Sequence, residues 1–260
     1  MRIFRSALFL IMVSALGCAG SRPVSLQLQP GSRIGILNLL EPQMTHVDFG
    51  SLRFNSFTNG YNVDWNIPGY LNRTIEKDLR VGGNFTFIPI AVNPSEDWKQ
   101  SMSKNILYAV TQWVQDDLKA FLKQIAEEER LDLIISVSSY DSDRWPQVAC
   151  FKIGKNPVVT KGYGLYTRTR VLSGLSQLLS PLQNAATPYA NIVVAIFQTR
   201  PVTLASYAQA PCSQSSIADF PWSSDLSSLS PEVIQKVKPL VEQLSAEAAH
   251  SALANAGLLP

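Results

Sequence analysis

Uninterrupted runs of apolar residues predict two strands that are buried on both faces. The first is RIGILNLL at residues 33–40, and the second is LDLIISVSS at residues 131–139. Short apolar runs without alternation are typical of parallel strands that helices cover on both sides. We therefore expect the two segments to lie adjacent or nearly so, and parallel, in one sheet.

Helical spacing of apolar residues occupies much of the chain between these strands. Residues 67–82 have an apolar residue at every fourth position, which is one face of a helix. Residues 101–129 carry the longest helical pattern and predict a single helix that packs against the sheet. Asp116 and Asp117 would then be solvated residues in the middle of that helix. Its expected buried face consists of Leu107, Val110, Val114, Leu118, Phe121, Leu122 and Ile125.

The period of the pattern changes to two in the second half of the chain, which favours antiparallel strands. Residues 158–171 alternate, and we interpret Gly162 and Gly164 within them as a β-bulge, with close contact by a partner chain as the alternative. Residues 190–199 and 201–208 predict two further strands, or one bent strand.

Two other segments complete the fold prediction. Residues 84–90 predict a strand, and residues 41–66 predict a long loop or an inserted hairpin. A terminal helix is expected with Ser230 as N-cap and Pro231 in the first turn, and Pro239 should kink or restart it. The fold class is therefore α/β: a three-layer sandwich on a mixed sheet, with a βαβαβ start followed by antiparallel strands and a long C-terminal helix.

The first twenty residues, MRIFRSALFLIMVSALGCAG, have the three-part plan of an export signal. Arg2 and Arg5 are followed by an apolar run too short to span a bilayer, and small residues precede Cys18. Residues 15–18, Ala-Leu-Gly-Cys, resemble the lipobox of bacterial lipoproteins, with the Leu one place late. The resemblance implies cleavage before the cysteine and a lipid on its sulfur, and Ala19 implies the outer membrane. An ordinary cleaved signal with an incidental cysteine is the alternative.

This interpretation divides the chain into a signal peptide at 1–17, a lipidated cysteine and tether at 18–32, and a single α/β domain at 33–260. Lys plus Arg number 22 and Asp plus Glu 20, and the signal contains two of the cations. The mature chain would then have 20 of each, a formal balance of zero. Such a balance excludes the basic excess of a nucleic-acid-binding protein and makes electrostatic steering of a partner unimportant. With 46% hydrophobic and 16% charged residues, the chain is also too apolar to be disordered.

Two cysteines remain after Cys18, namely Cys150 and Cys212. Because an exported chain meets an oxidising compartment, an even pair predicts a disulfide. Two buried thiols or a metal pair are the alternatives. The chain has only two histidines, His46 and His250, so a site of Cys and His ligands is poorly supplied.

Catalytic signatures are sparse in this sequence. It contains neither the G-x-S-x-G nucleophile elbow nor a phosphate-binding glycine loop. The candidate ligand site consists of His46 and Asp48, expected in a loop after the first strand, and of Asp141 and Asp143, which follow the strand 131–139. Open α/β sheets bind ligands at that end of their strands, and two carboxylates there could hold a divalent cation with Asp48 or Asp64. Polar turn residues without a ligand are the alternative. No cofactor or metal is otherwise expected, and His250 is expected to be solvated or half-buried.

A resemblance follows from the order of elements across residues 33–257. The first strand at 33–40, the Asp-Leu-Ile-Ile of 132–135, a glycine-containing later strand and a long terminal helix resemble one superfamily of exported proteins. It contains the curli-secretion lipoprotein, the lipoprotein activator of penicillin-binding proteins and the amino-terminal domain of the TolB translocation protein. The resemblance implies a role in assembly, activation or secretion without catalysis.

Three functional hypotheses remain at this stage. The first is a non-catalytic lipid-anchored envelope protein that binds a periplasmic or outer-membrane protein partner and no nucleic acid. The second is a subunit of an oligomeric secretion channel, with self-association and with residues 172–189 or 41–62 in the membrane. The third is a lipid-anchored periplasmic hydrolase that uses His46, Asp141 and Asp143.

Overall fold

The computed structural model describes residues 26–49, 57–91, 95–111, 114–140, 152–153, 156–157, 160–169, 184–211, 217 and 230–259. Its strands are β1 (Arg33–Asn38), β2 (Gln43–Phe49), β3 (Phe57–Asn62), β4 (Thr86–Pro89), β5 (Leu133–Ser139), β6 (Lys152–Ile153), β7 (Asn156–Pro157), β8 (Gly162–Thr169), β9 (Asn184–Thr199) and β10 (Val202–Gln209). Its helices are α1 (Ile67–Gly82), α2 (Glu96–Thr111), α3 (Asp116–Glu128), α4 (Pro231–Gln235) and α5 (Lys238–Asn255).

Eight of the described strands form one mixed sheet with the order β3-β2-β8-β9-β5-β1-β4, and β10 also pairs with β9. Next to the edge strand β4, β1 lies between β4 and β5 and is parallel to both. Ile34 of β1 pairs with Leu133 of β5, so the two apolar runs are adjacent, parallel neighbours. This confirms the expected arrangement of residues 33–40 and 131–139.

Helices cover the sheet on both faces. On one face α1 and α5 pack together and bury Ile67, Leu71, Ile75 and Leu79 of α1 in a core that includes Ile34 and Ile36. On the other face α2 and α3 bury a second core that includes Leu37 and Ile134. Alternate residues of β1 therefore enter different cores, which explains its uninterrupted apolar sequence. The α/β three-layer sandwich on a mixed sheet is thus the observed fold.

The single helix expected at residues 101–129 is wrong, because two helices occupy this region. Helix α2 ends at Thr111 and α3 begins at Asp116. Asp116 and Asp117 are therefore first-turn residues of α3, where a carboxylate favours the positive end of the helix dipole. They are exposed, as expected. The apolar stripe persists across the break because both helices pack on the same core.

Strand β9 is the longest element of the sheet, with 16 residues and a length of about 50 Å. Its first half pairs with β8, and its second half pairs with β5 on one edge and with β10 on the other. It begins six residues before the predicted start at 190 and contains Pro188. The Ala186 N–H points to Ile217, away from β8. Because alternate residues point the same way, the nitrogen of Pro188 also faces away from β8, and the proline costs that ladder no hydrogen bond.

Residues 190–199 and 201–208 belong to two strands, which resolves the alternative left open by the sequence. Strands β9 and β10 form an antiparallel pair joined by a turn that contains a cis Arg200–Pro201 peptide bond. Pro239 lies in the first turn of α5, after the short helix α4, so it restarts the terminal helix as expected. Ser230 occupies the N-cap position of α4, although its side chain makes no capping hydrogen bond.

The described residues begin at Leu26, seven residues before β1. Leu26 is buried in the core shared with α5, and its N–H donates to the Ala256 carbonyl over 3.0 Å. The Gly31 N–H then donates to the Asn84 carbonyl, just before β4. Leu26 therefore lies at the C-terminal end of the α1–α5 layer. None of the helices in the described ranges is long and apolar enough to cross a membrane.

Candidate functional site

His46 and Asp48 lie on strand β2, so the prediction that they occupy a loop is wrong. Residues 41–66 contain the antiparallel pair β2–β3, which is the hairpin alternative of the sequence prediction. Strand β2 also pairs in parallel with β8, and Asp48 is in register with Thr167. His46 and Asp48 are two residues apart on one strand and share a face, where both are buried.

Thr167 joins these two side chains in a buried polar chain, which we call the His46–Thr167–Asp48 network. Thr167 Oγ1 lies 2.5 Å from Asp48 Oδ1 and donates to it, and His46 Nε2 lies 2.8 Å from the same hydroxyl. Because the Thr167 hydroxyl donates its proton to Asp48, the hydroxyl oxygen must accept a hydrogen bond from His46. The geometry therefore assigns the Nε2–H tautomer to His46.

Burial controls the protonation of this network. Desolvation lowers the pKa of His46 to about 4, so the imidazole is neutral at pH 7. Desolvation also raises the pKa of Asp48, while the hydrogen bond from Thr167 acts in the opposite direction. His46 is 0% exposed and Asp48 2%, so neither can reach a dissolved substrate. The network can hold β2 and β8 in register, because a one-residue slip would turn its polar groups to the other face.

The other members of the predicted ligand site are not brought to this network within the described structure. Asp141 and Asp143 lie outside the described residues, as do Cys18, Cys150 and Cys212. Asp64 is exposed and accepts a hydrogen bond from Gln235 over 3.2 Å. In the described ranges no three His, Cys, Asp or Glu side chains are grouped closely enough to hold a metal ion.

The carboxyl ends of β1 and β5, where many α/β proteins bind ligands, are covered by the protein's own sheet. Ser139 at the end of β5 abuts Gly162 at the start of β8, and both strands pair with successive halves of β9. A cavity of only about 20 Å³ remains there. Lys161 Nζ lies 3.0 Å from Glu41 Oε1 in its wall. This volume accommodates about one water molecule, so the cavity that the described residues enclose at this point is too small for a substrate.

Tyr163 is the most unusual side chain around this cavity. Its hydroxyl is buried and has no hydrogen-bond partner among the described residues. Burial, with a smaller contribution from the Glu41 carboxylate, raises the pKa of its phenol above the ordinary value. Tyr163 is therefore a neutral core residue at pH 7.

A larger open groove of about 520 Å³ lies between α1 and α5. Its walls carry three carboxylates, from Asp78, Glu242 and Glu247, and the imidazole of His250. His250 Nδ1 lies 3.5 Å from Asp78 Oδ2, and the His250 side chain is 66% exposed. The expectation of a solvated or half-buried His250 is confirmed.

The outer edge of β3 lies at one end of the strand order of the described sheet. Within the described residues β3 pairs only with β2, and Thr58, Asn59, Gly60 and Asn62 are exposed. The strand contains no proline and no charged residue. In contrast, the edge strand β4 has four residues and ends at Pro89, and β10 has a register shift between Leu204 and Ser206. Prolines, bulges and charges are what native edges use to prevent pairing, so β3 lacks these protections.

Thr167 and the β3 edge are the features that sequence reasoning missed. The alternation of residues 158–171 placed Thr167 on one face of its strand, but its partners are 119 and 121 positions away. The edge position of β3 depends on the same long-range pairing of β2 with β8. No protein-family model matches this chain, and no curated protein matches it.

Proposed function

We propose that this chain is a non-catalytic, lipid-anchored envelope protein that binds an extended segment of a protein partner along the outer edge of β3. The unprotected β3 edge is the observation that carries the proposal. An extended peptide added to such an edge gains a ladder of backbone hydrogen bonds, and neighbouring side chains select its sequence. The lipobox-like Ala-Leu-Gly-Cys at residues 15–18 supports the anchor.

The structure behind β3 supports a rigid docking edge. Strand β3 pairs with β2 over six residue pairs, from Gln43–Asn62 to Asp48–Phe57. Beneath it, the His46–Thr167–Asp48 network fixes β2 to β8, and the ring centroids of His46 and Tyr61 are 6.2 Å apart. An edge that is already held in position loses little conformational entropy when a partner strand is added.

The burial of His46, which it shares with Asp48, argues against the hydrolase hypothesis in the form that uses His46. A general base must come within hydrogen-bond distance of the proton that it removes, and neither side chain is accessible. The binding role is also the one implied by the resemblance to the curli-secretion, penicillin-binding-protein-activator and TolB superfamily.

Three exposed threonines on three edge strands provide a matched test of the binding edge. Thr58 is on β3, Thr86 on β4 and Thr203 on β10. Tagged protein would be used to capture partners from the envelope of its own cells, with captured proteins identified by mass spectrometry. A lysine on a sheet edge opposes strand addition. Thr58→Lys should reduce capture of the partner at least about tenfold, whereas Thr86→Lys and Thr203→Lys should not.

Hydrogen exchange provides the second measurement. Addition of the captured partner should slow amide exchange in residues 57–62, because strand addition places their outward N–H groups in hydrogen bonds. Equal capture by the three lysine variants, or unchanged exchange at β3 in the complex, would contradict the proposal.

A further inference from the structure

The outer face of α1 carries a row of cations that has no part in the proposed binding of a partner at β3. Arg73, Lys77 and Arg80 are all exposed and are spaced by four and three residues, so they lie on one face of the helix. We call them the basic stripe. Val81 continues this face at the end of the helix and is 74% exposed, which makes it the most exposed large apolar residue in the described structure.

The point where the N-terminal segment reaches the domain lies at the same end of the molecule. Leu26 bonds to Ala256 at the end of α5, and the last turns of α1 and α5 meet where Gly82 approaches the Leu258 carbonyl. Eight residue steps separate Cys18 from Leu26, which span at most about 28 Å. A lipid on Cys18 therefore keeps this end of the α1–α5 layer within that distance of the bilayer.

Charge distinguishes the α1–α5 layer from the layer on the opposite face of the sheet. The last turns of α1 present Lys77 and Arg80 to solvent, whereas Glu76 is half-buried. Asp78 in the same turns lines the groove between α1 and α5, 3.5 Å from His250. Helix α5 has no carboxylate after Glu247. At the same end of the sheet, α3 finishes with exposed Glu127, Glu128 and Glu129. An anionic bilayer surface attracts the first set of charges and repels the second.

We infer that the outer face of α1, comprising Arg73, Lys77, Arg80 and Val81, rests on the surface of an anionic phospholipid bilayer when the protein is anchored. The cations contact lipid phosphates, and Val81 enters the interface beside them. This orientation rests on the proposed lipid anchor. It does not depend on the β3 partner, because the basic stripe and the β3 edge belong to different elements.

The orientation can be tested on the full chain purified from its own membranes and reconstituted in vesicles. An environment-sensitive fluorescent amino acid would replace Val81 in one protein and Lys119, on the outer face of α3, in the other. Vesicles would contain phosphatidylcholine alone or phosphatidylcholine with about one third anionic phosphatidylglycerol, together with a headgroup-linked quencher. At position 81, quenching should exceed that at position 119 at least about twofold in the anionic vesicles, and it should fall toward the control in neutral ones.

A charge-matched pair of variants completes the test. Arg73→Gln, Lys77→Gln and Arg80→Gln together should bring quenching at position 81 to the level of position 119. Lys104→Gln, Lys119→Gln and Lys123→Gln, which remove three exposed cations from α2 and α3, should leave it unchanged. Equal quenching at positions 81 and 119, or equal quenching at 81 in neutral and anionic vesicles, overturns the inference.

Flotation of the same vesicles separates this inference from the function on which it rests. A protein that floats with the vesicles but shows no preferential quenching at 81 retains its anchor and lacks the proposed orientation. A protein that does not float lacks the anchor, and both proposals fail.

Discussion

Tyr189 of β9 reaches across Gly164 of β8, the residue with which it is paired, and donates a hydrogen bond from its hydroxyl to the Thr45 carbonyl of β2 over 3.3 Å. The phenol thus connects three strands. The ladders of β8 with β2 and β9 continue without a register shift, so the β-bulge predicted at Gly164 is wrong. The backbone that approaches Gly164 belongs to β2 of the same chain, because a Cβ at 164 would meet the Thr45 backbone oxygen at 1.8 Å. Contact with a partner protein, which was the alternative, stays a prediction.

We expect Gly164→Ala to lower the free energy of unfolding by about 3 kcal/mol or more, since backbone rather than a flexible side chain blocks the added methyl. Gly60 provides a matched control, because it pairs with the same Thr45 from the other side and its Cβ would meet only the Gln43 side chain. Gly60→Ala should change the stability by no more than about 0.5 kcal/mol. Urea unfolding measures both, and equal stabilities of the two variants would contradict the assignment.

Thr167→Val should destabilise the protein by about 2–3 kcal/mol, because the methyl that replaces the hydroxyl removes hydrogen bonds to two buried polar groups. Thr167→Ser retains the hydroxyl and loses one buried methyl, so its cost should be about 1 kcal/mol. Thermal or urea unfolding at pH 7 compares the two. If valine is tolerated as well as serine, the network does not stabilise the fold.

Stability should fall as the pH decreases from 6.5 toward 4. The pKa of His46 is lowered to about 4 in the folded protein, so between these values the unfolded chain binds a proton that the folded chain excludes. This difference in proton binding contributes about 3 kcal/mol to the free energy of unfolding above pH 6.5, and the contribution is fully lost below the pKa of the folded state. Burial raises the pKa of Asp48, so just above the ordinary aspartate pKa the folded protein binds a proton that the unfolded chain does not. This contribution increases stability as the pH falls and partly offsets the loss caused by His46. The His46→Gln variant should not show the loss of stability that His46 causes between pH 6.5 and 4. If the free energy of unfolding of this variant depends on pH as it does in the parent protein, the prediction is wrong.

The apolar patterning of the chain was sufficient to predict the layers of the fold but not the extension of the sheet. Two patterns predicted the layers: the apolar runs at 33–40 and 131–139, and the apolar residue at every fourth position in 67–82. Both patterns depend only on which faces of a strand or helix are buried, and the local sequence is enough to show this. The break between α2 and α3 was not visible, because both helices continue one apolar stripe. A helix dipole argument applied to Asp116 and Asp117 could have located it.

The candidate site was less predictable than the fold for a physical reason. His46 and Asp48 look like loop ligands because isolated polar residues are costly in a buried strand. What makes their burial possible is Thr167, on a strand more than a hundred residues later. Nothing near position 46 indicates that partner, so the sequence alone favours an exposed role for residues that the structure buries.

Cys18→Ala should abolish lipid modification and leave an uncut or soluble form of the protein. In the bacterial lipobox, which residues 15–18 resemble, the lipid is attached to the cysteine sulfur, which alanine lacks. Radiolabelled palmitate incorporation in cells measures this, with Cys150→Ser as a variant that should still be labelled. Labelling that persists in Cys18→Ala would eliminate the anchor.

Cys150 and Cys212, which lie outside the described residues, are predicted to form a disulfide. Such a bridge would close a loop of about 60 residues and contribute on the order of 3–4 kcal/mol. Thiol titration of the denatured protein, purified from the periplasmic fraction without reductant, should detect neither cysteine. Titration of two thiols would exclude the bridge, and reduction should lower the urea midpoint of the parent protein but not of the double serine variant.

The position of β9 has a consequence for the order in which the molecule can fold. Strand β2 emerges early, but its partner β8 lies 119 residues later at the Thr45–Gly164 pair, and β9, which closes both halves of the sheet, follows β8. Neither half can bury its central strands until this shared strand is available. Such a topology delays collapse to the native state until most of the chain has been delivered. If the chain is exported as we propose, this delay is useful, because a chain that cannot complete its sheet early stays extended enough to be threaded across a membrane.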